Sequence, residues 1–184
     1  FGMSAKEFDK NGIFLMTGKP AFMKGQFPDK PIPGAFLSGC MYFAPAGVIA
    51  DVPYDPHLYF FGEEISMAVR LWTSGYDFYH PNRPVIYHDW DRGKRPTHFS
   101  DHRDWSTLNA LSFARVKHLL GTELTDDDAA LQELENYGLG TARTLAQYQE
   151  FSGVDFAKKT IGARAAKGDF KPSPVGRGWR VAPG

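Results

Sequence analysis

Phe60-Phe-Gly-Glu-Glu-Ile-Ser-Met-Ala-Val-Arg-Leu-Trp72, running on into Thr73-Ser-Gly-Tyr-Asp77, decides how the chain is read. Within it Ile65, Ala68, Val69 and Trp72 recur at i, i+3, i+4 and i+7, the spacing of one face of an α-helix. Glu63 and Glu64 stand in the first turn, where carboxylates complement the positive end of the helix dipole, and Gly75 follows where a helix closes. The pattern predicts a helix over about 63–74.

On either side lie apolar runs without helical period. Ala35-Phe-Leu-Ser-Gly-Cys-Met-Tyr-Phe-Ala44, bounded by Pro33-Gly34 and Pro45, predicts a strand buried on both faces and interrupted at Gly39. Pro84-Val-Ile-Tyr-His-Asp-Trp90 predicts a second. Further on, Trp105, Leu108, Leu111, Val116 and Leu119 mark one face of a helix with Asp104 as N-cap and Gly121 as its close. Residues 123–135 hold Glu123, Asp126, Asp127, Asp128, Glu133 and Glu135 without a Lys or Arg, which predicts a solvent-facing helix with Leu131 and Leu134 inward. Gly138-Leu-Gly140 breaks it, Thr141 to Phe151 reads as another amphipathic helix, and the last dozen residues read as an extended tail. Strands and a helix in the front half, helices behind, make an α/β chain with a mixed sheet followed by helices.

Composition narrows the function classes. The 184 residues are 42% hydrophobic, enough for one core. Twenty-one Lys and Arg balance 21 Asp and Glu, so no cationic field draws the chain to nucleic acid or an anionic membrane, and neither partner is expected. No apolar run reaches the ~18 residues of a membrane span. Cys40 is the only cysteine, which excludes internal disulfides and cysteine-based zinc sites and makes a cytoplasmic location the expectation. The opening Phe1-Gly-Met-Ser-Ala-Lys is neither a signal peptide nor a translation start, so a fragment is expected.

The acid pair Glu63 and Glu64 has a plain structural reading, complement to a helix N-terminus, just as His88 has one as a hydrogen-bonded residue at a strand end. Their order in the chain supports another. A Ser38-Gly39 strand break, an acidic pair opening a helix, and a histidine followed by the cationic run Arg92-Gly-Lys-Arg95 together describe a nucleotide-sugar site. Carboxylates orient sugar hydroxyls, a neutral imidazole completes a divalent-metal shell, and Arg or Lys neutralises a phosphate leaving group. His98 and His102, at i and i+4 beside Asp101, admit a zinc-hydrolase reading, but no glutamate follows His98 as the metalloprotease pattern requires.

Pro33-Gly-Ala-Phe-Leu-Ser-Gly, Val52-Pro-Tyr-Asp-Pro-His-Leu-Tyr-Phe, Gly62-Glu-Glu-Ile-Ser, Arg70-Leu-Trp-Thr-Ser-Gly-Tyr-Asp, Arg95-Pro-Thr-His and Leu120-Gly occur in that order. From about Gly12 to Phe156 the chain resembles the carboxyl-terminal half of the cytoplasmic N-acetylglucosaminyltransferases that modify protein hydroxyproline, and is more distantly similar to the polypeptide N-acetylgalactosaminyltransferases. The resemblance implies a retaining glycosyltransferase of GT-A (Rossmann-like) architecture that takes UDP-N-acetylglucosamine, Mn2+ or Mg2+, and a protein acceptor. It implies catalytic roles for Glu63 and Glu64 beside sugar and acceptor, and metal ligation by His88. Donor binding is implied for Ser38, Gly39 and the set Arg92, Lys94 and Arg95. By the same resemblance, residues 1–156 form part of a GT-A domain and 157–184 a basic Gly/Pro-containing tail.

One departure matters. No Asp-x-His or Asp-x-Asp metal motif precedes Gly39. The expectation is therefore a chain inactive alone, completed by a missing amino-terminal half or by a homo-oligomer, with Ala35 to Ala44 left as an exposed apolar edge. The alternative is a catalytically inactive sugar- or protein-binding fragment or subunit.

Overall fold

The computed structural model describes residues 2–19, 26–87, 89, 93 and 98–172. The chain passes through β1 (Gly2–Phe8), β2 (Phe14–Lys19), β3 (Ile32–Gly34), α1 (Gly47–Asp51), α2 (Glu63–Thr73) and β4 (Phe78–His80). It continues through α3 (His98–Asp101), α4 (Trp105–Leu120), α5 (Asp128–Leu131), α6 (Leu145–Ser152), β5 (Val154–Asp155), β6 (Thr160–Ile161) and α7 (Ala163–Lys167). Among the described residues the strands form three separate two-stranded antiparallel sheets, β1 with β2, β3 with β4, and β5 with β6.

Helix α2 lies where the sequence places it, but it is buried on more than one side. Ile65, Val69 and Trp72 enter the larger core with Phe14, Phe36, Val116, Tyr148 and Phe156. Met67, Ala68 and Leu71 enter a second cluster with Leu37, Val48 and Val52. Each large apolar side chain so buried contributes roughly 1.5–3 kcal/mol, so α2 is the element on which the two clusters meet. Its start is set by Gly62, whose φ of +89° suits glycine and whose missing Cβ would lie 2.7 Å from Val116 Cγ2. That close approach seats the first turn of α2, with Glu63 and Glu64, directly on α4.

The far end of α2 is held by a residue 70 positions away. Buried Arg143 donates to the carbonyls of Trp72 at 3.3 Å, Gly75 at 3.2 Å and Tyr76 at 3.3 Å. It also pairs with Asp77 at 2.9 Å and lies 4.5 Å over the Trp72 ring. A cation at a helix C-terminus satisfies carbonyls that the helix leaves open and opposes the negative end of its dipole.

Strand β3 is anchored through its neighbour. His80, opposite Ile32 in the β3–β4 register, accepts from Met3 N–H on Nε2 at 3.2 Å and packs so closely on Gly34 that a Cβ there would meet Nε2 at 2.6 Å. After β3, Ala35, Phe36 and Leu37 are buried, and the Tyr148 hydroxyl donates to Ala35 O at 2.7 Å. Burial drives the Tyr148 hydroxyl pKa upward.

Several elements differ from expectation. The strand foreseen over residues 35–44 does not form: only Ala35 to Leu37 are buried, and Gly39 to Phe43 are exposed loop. The apolar edge foreseen there is absent with it. Pro84 to Tyr87 of the second foreseen strand are likewise exposed coil, and the strands that do form, β1 to β6, were not foreseen. Apolar run length without period does not separate a buried strand from a loop that presents aromatics. On α4 the foreseen bounds hold, although Asp104 makes no side-chain capping bond, and the buried face carries Asn109, Ser112, Arg115, Val116 and Leu120 while Trp105 is exposed. The acidic helix shrinks to the single turn α5, capped by Asp127 accepting from Ala129 N–H at 3.0 Å, with Ala130 as its buried residue. Helix α6 starts at Leu145 rather than Thr141, because Thr144 and Gln147 form a reciprocal capping box that fixes its first turn. Behind residue 157, α7 packs on β1 and Phe170 joins the core against Phe36 at 5.4 Å. The foreseen tail from 173 onward lies outside the described residues.

Candidate functional site

The first turn of α2 and the loop after Leu37 come together. Gly39 N–H donates to Glu64 Oε1 at 2.6 Å, and a Cβ on Gly39 would lie 2.5 Å from Glu63 Oε1 and 3.3 Å from Glu64 Oε1. Only a residue without a side chain lets both carboxylates reach the loop backbone. Ser38, next to Gly39 in the chain, accepts from Cys40 N–H on Oγ at 3.4 Å. Three of the expected site residues, Gly39, Glu63 and Glu64, are thus one cluster, with Ser38 adjoining Gly39 in the chain.

The electrostatics are uneven across the acid pair. Burial, and then the neighbouring charge of Glu64, raise the Glu63 carboxyl above its ordinary range, while hydrogen bonding to Tyr54 works in the opposite direction. Glu63 Oε2 is buried and has no hydrogen-bond partner among the described residues. Tyr54 in turn is pushed up by its partial burial, by Glu63 and by Tyr42. A half-buried carboxylate with an unpartnered oxygen and a raised pKa is a perturbed group of the kind that concentrates at functional sites.

Tyr54 and Tyr42 belong to this site and were not picked out from the sequence as site residues. They stack with ring centroids 6.4 Å apart and planes inclined by 26°. A signal was present: Pro53 and Pro56 bracket Tyr54-Asp55, which fixes a loop whose two central side chains point opposite ways. Asp55 points inward to a buried ion pair with Arg115 at 2.7 Å, and Arg115 also donates to Ala130 O at 2.9 Å and Gln132 O at 2.8 Å.

The other expected site residues cannot be joined to this cluster. His88, Arg92, Lys94 and Arg95 lie outside the described residues. The His102 ring stands 5.8 Å from that of Tyr59, edge to face, and α3, which carries His98, is a single turn. No three His, Cys, Asp or Glu side chains converge on a metal position among the described residues. Because Glu64 Oε1 is already engaged by Gly39, the acid pair alone does not make a shell for Mn2+ or Mg2+.

An aromatic surface adjoins the cluster on the N-terminal side of α2. Phe60 and Phe61 meet edge to face at 4.9 Å, and Phe99 lies 5.5 Å from Phe60 and 5.4 Å from Trp105. No helix of the described residues is long and apolar enough to cross a membrane. A family model described as Glycosyltransferase (GlcNAc) matches residues 2–158, a span that contains the acid pair, Gly39 and both tyrosines. Comparison with curated proteins and with solved structures found no match.

Proposed function

The chain belongs to the glycosyltransferase (GlcNAc) family, and on that premise we propose that it acts in the retaining transfer of N-acetylglucosamine from UDP-N-acetylglucosamine to a protein hydroxyl, within a GT-A-like domain. The observation that carries this reading is the Glu63 carboxylate, held against the Gly39 backbone with one oxygen unpartnered and its pKa raised. In the transfer the acceptor oxygen bonds to the sugar C1 on the face from which the diphosphate departs. The C1–O electron pair goes to the diphosphate, and the acceptor proton follows to the departing phosphate oxygen. Glu63 accepts a hydrogen bond from a sugar or acceptor hydroxyl and fixes its orientation, which is the part of the work this cluster can do. Glu64 is tied to the loop and keeps Gly39 in place.

A divalent cation, Mn2+ or Mg2+, belongs to the proposal through His88, with Arg92, Lys94 and Arg95 as the set that receives the diphosphate; when bound, the cation supplies charge neutralisation to the leaving group. The exposed aromatics Phe60, Phe61 and Trp105 favour the second reading, a sugar- or protein-binding chain without catalysis. Release of UDP from UDP-N-acetylglucosamine, followed with and without Mn2+ in the wild type and in Glu63→Gln, separates the two. Turnover that falls at least tenfold in the variant supports transfer, and donor binding without any turnover supports the binding chain.

A further inference from the structure

The stacks of Trp72 on Phe151 and of Tyr148 on Phe156 are part of the core. Tyr42 and Tyr54 belong to neither apolar cluster, yet their rings are also near-parallel, 6.4 Å apart and inclined by 26°. The two residues stay 36% and 47% exposed. Tyrosines stacked on each other in solvent add little to a core, and an aromatic surface kept open to water is suited to a ligand.

Both rings are set in place before anything binds. Tyr42 follows Gly39 by three residues, and Gly39 N–H is held by Glu64 Oε1 at 2.6 Å. Tyr54 precedes Asp55, which is buried against Arg115 at 2.7 Å and accepts from His57 N–H at 3.0 Å. Between the two tyrosines, Val48 of α1 and Val52 behind it are buried in the second cluster. Anchors on both loops lower the conformational entropy that binding removes.

What such a pair takes is decided by its neighbours. Three residues of chain span at most about 10 Å, so the Tyr42 backbone lies within that reach of Gly39, on which both carboxylates abut. Glu63 also adds to burial in raising the Tyr54 hydroxyl pKa, in keeping with this closeness. An acid pair repels phosphate and accepts from hydroxyls and amides. A pyranose meets both surroundings, since its ring face carries C–H groups that suit the negative face of an aromatic ring and its rim carries hydroxyls that donate. A base linked to a diphosphate meets only the first.

We propose that Tyr42 and Tyr54 form the platform on which a pyranose ring of the substrate lies, with its hydroxyls turned toward Glu63 and Glu64. The choice of a sugar as occupant rests on the glycosyl-transfer reading of this site, but the open, anchored ring pair does not. Two substrates bring such a ring, the donor and a carbohydrate acceptor.

The test is a set of NMR and calorimetric titrations of the full chain with three probes in the presence of Mn2+: methyl N-acetylglucosaminide, UDP-N-acetylglucosamine and UDP. Tyr54→Leu and, as a second variant, Tyr42→Leu are each expected to weaken glycoside binding about three- to tenfold, the worth of one aromatic contact. Tyr54→Phe keeps the ring and should stay within about twofold of the wild type. UDP binding should be unchanged in all three. Glycoside displaced by UDP-N-acetylglucosamine places the donor sugar on the platform, and glycoside bound beside it places an acceptor sugar there. The proposal is overturned if both leucine variants bind the sugar probes as the wild type does, if Tyr54→Phe loses as much as Tyr54→Leu, if UDP weakens as much as the sugars, or if the wild type binds no sugar probe. Donor binding indifferent to both leucine variants removes the platform and leaves the donor reading. Glycoside binding through the tyrosines without affinity for UDP-N-acetylglucosamine does the reverse.

Discussion

Protonating His80 should loosen the strand that carries the Gly39 loop. The imidazole is 9% exposed, wedged against Gly34, and accepts from Met3 N–H, so it sits in the fold as the neutral form. Burial lowers its pKa from 6.5 to about 4. In the unfolded chain the group returns to its ordinary value, and between the two pKa values the unfolded state binds the extra proton. Stability is therefore whole above about pH 6.5 and is lost progressively as pH falls toward about 4. At about 1.4 kcal/mol per unit, that shift amounts to about 3 kcal/mol, a large share of the ~5–15 kcal/mol that keeps a domain folded. The assay is urea unfolding at a series of pH values for the wild type and for His80→Gln, which retains an acceptor and cannot titrate. Subtracting the two curves removes the carboxylates and the other histidines. The difference should change by about 3 kcal/mol between pH 6.5 and pH 4. A difference that stays flat would refute the argument that a buried neutral His80 anchors β4 to β1 and to Gly34.

Two further outcomes follow from the same packing. Gly39→Ala places a Cβ 2.5 Å from Glu63 Oε1 and must part the loop from the acid pair; UDP-N-acetylglucosamine binding should fall at least about tenfold, the loss of about one charged hydrogen bond, while urea stability changes by less than about 1 kcal/mol because Gly39 is exposed. Arg115→Ala leaves Asp55 charged and buried and frees the carbonyls of Ala130 and Gln132; it should cost about 3–5 kcal/mol in the same unfolding assay, and a loss below about 1 kcal/mol would show that the pair is not buried in solution.

What could be read in advance followed physical periodicity. Helix α2 and the ends of α4 were legible because Ile65, Val69 and Trp72 repeat at helical spacing, and because Gly75 and Gly121 stand where helices close. The strands were not legible. Residues 35–44 and 84–87 are as apolar as buried strands, yet Phe43, Ile86 and Tyr87 face outward in loops, and nothing in a run of apolar letters records that. The inner face of α4 was missed for the opposite reason: Arg115 is charged, and its burial makes sense only with Asp55, 60 residues away, and the α5 carbonyls. At the site, Gly39 and the acid pair were expected from their order in the chain and from the family resemblance, since by residue type alone the carboxylates read as complement to a helix N-terminus. Tyr54 was not, since only the folded chain brings it to the Tyr42 ring and within the influence of the Glu63 carboxylate.

In the proposed function the acid pair of α2, seated on Gly39, holds the donor sugar or acceptor of a glycosyltransferase. The most direct measurement is calorimetric titration of the full chain with UDP-N-acetylglucosamine in the presence and absence of Mn2+, beside Glu63→Gln and His88→Ala. Mn2+-dependent binding is expected, weakening about 10- to 100-fold in Glu63→Gln, the worth of one charged hydrogen bond, and losing its Mn2+ dependence in His88→Ala. Binding that is indifferent to Glu63→Gln, or no binding by the wild type under either condition, would contradict it.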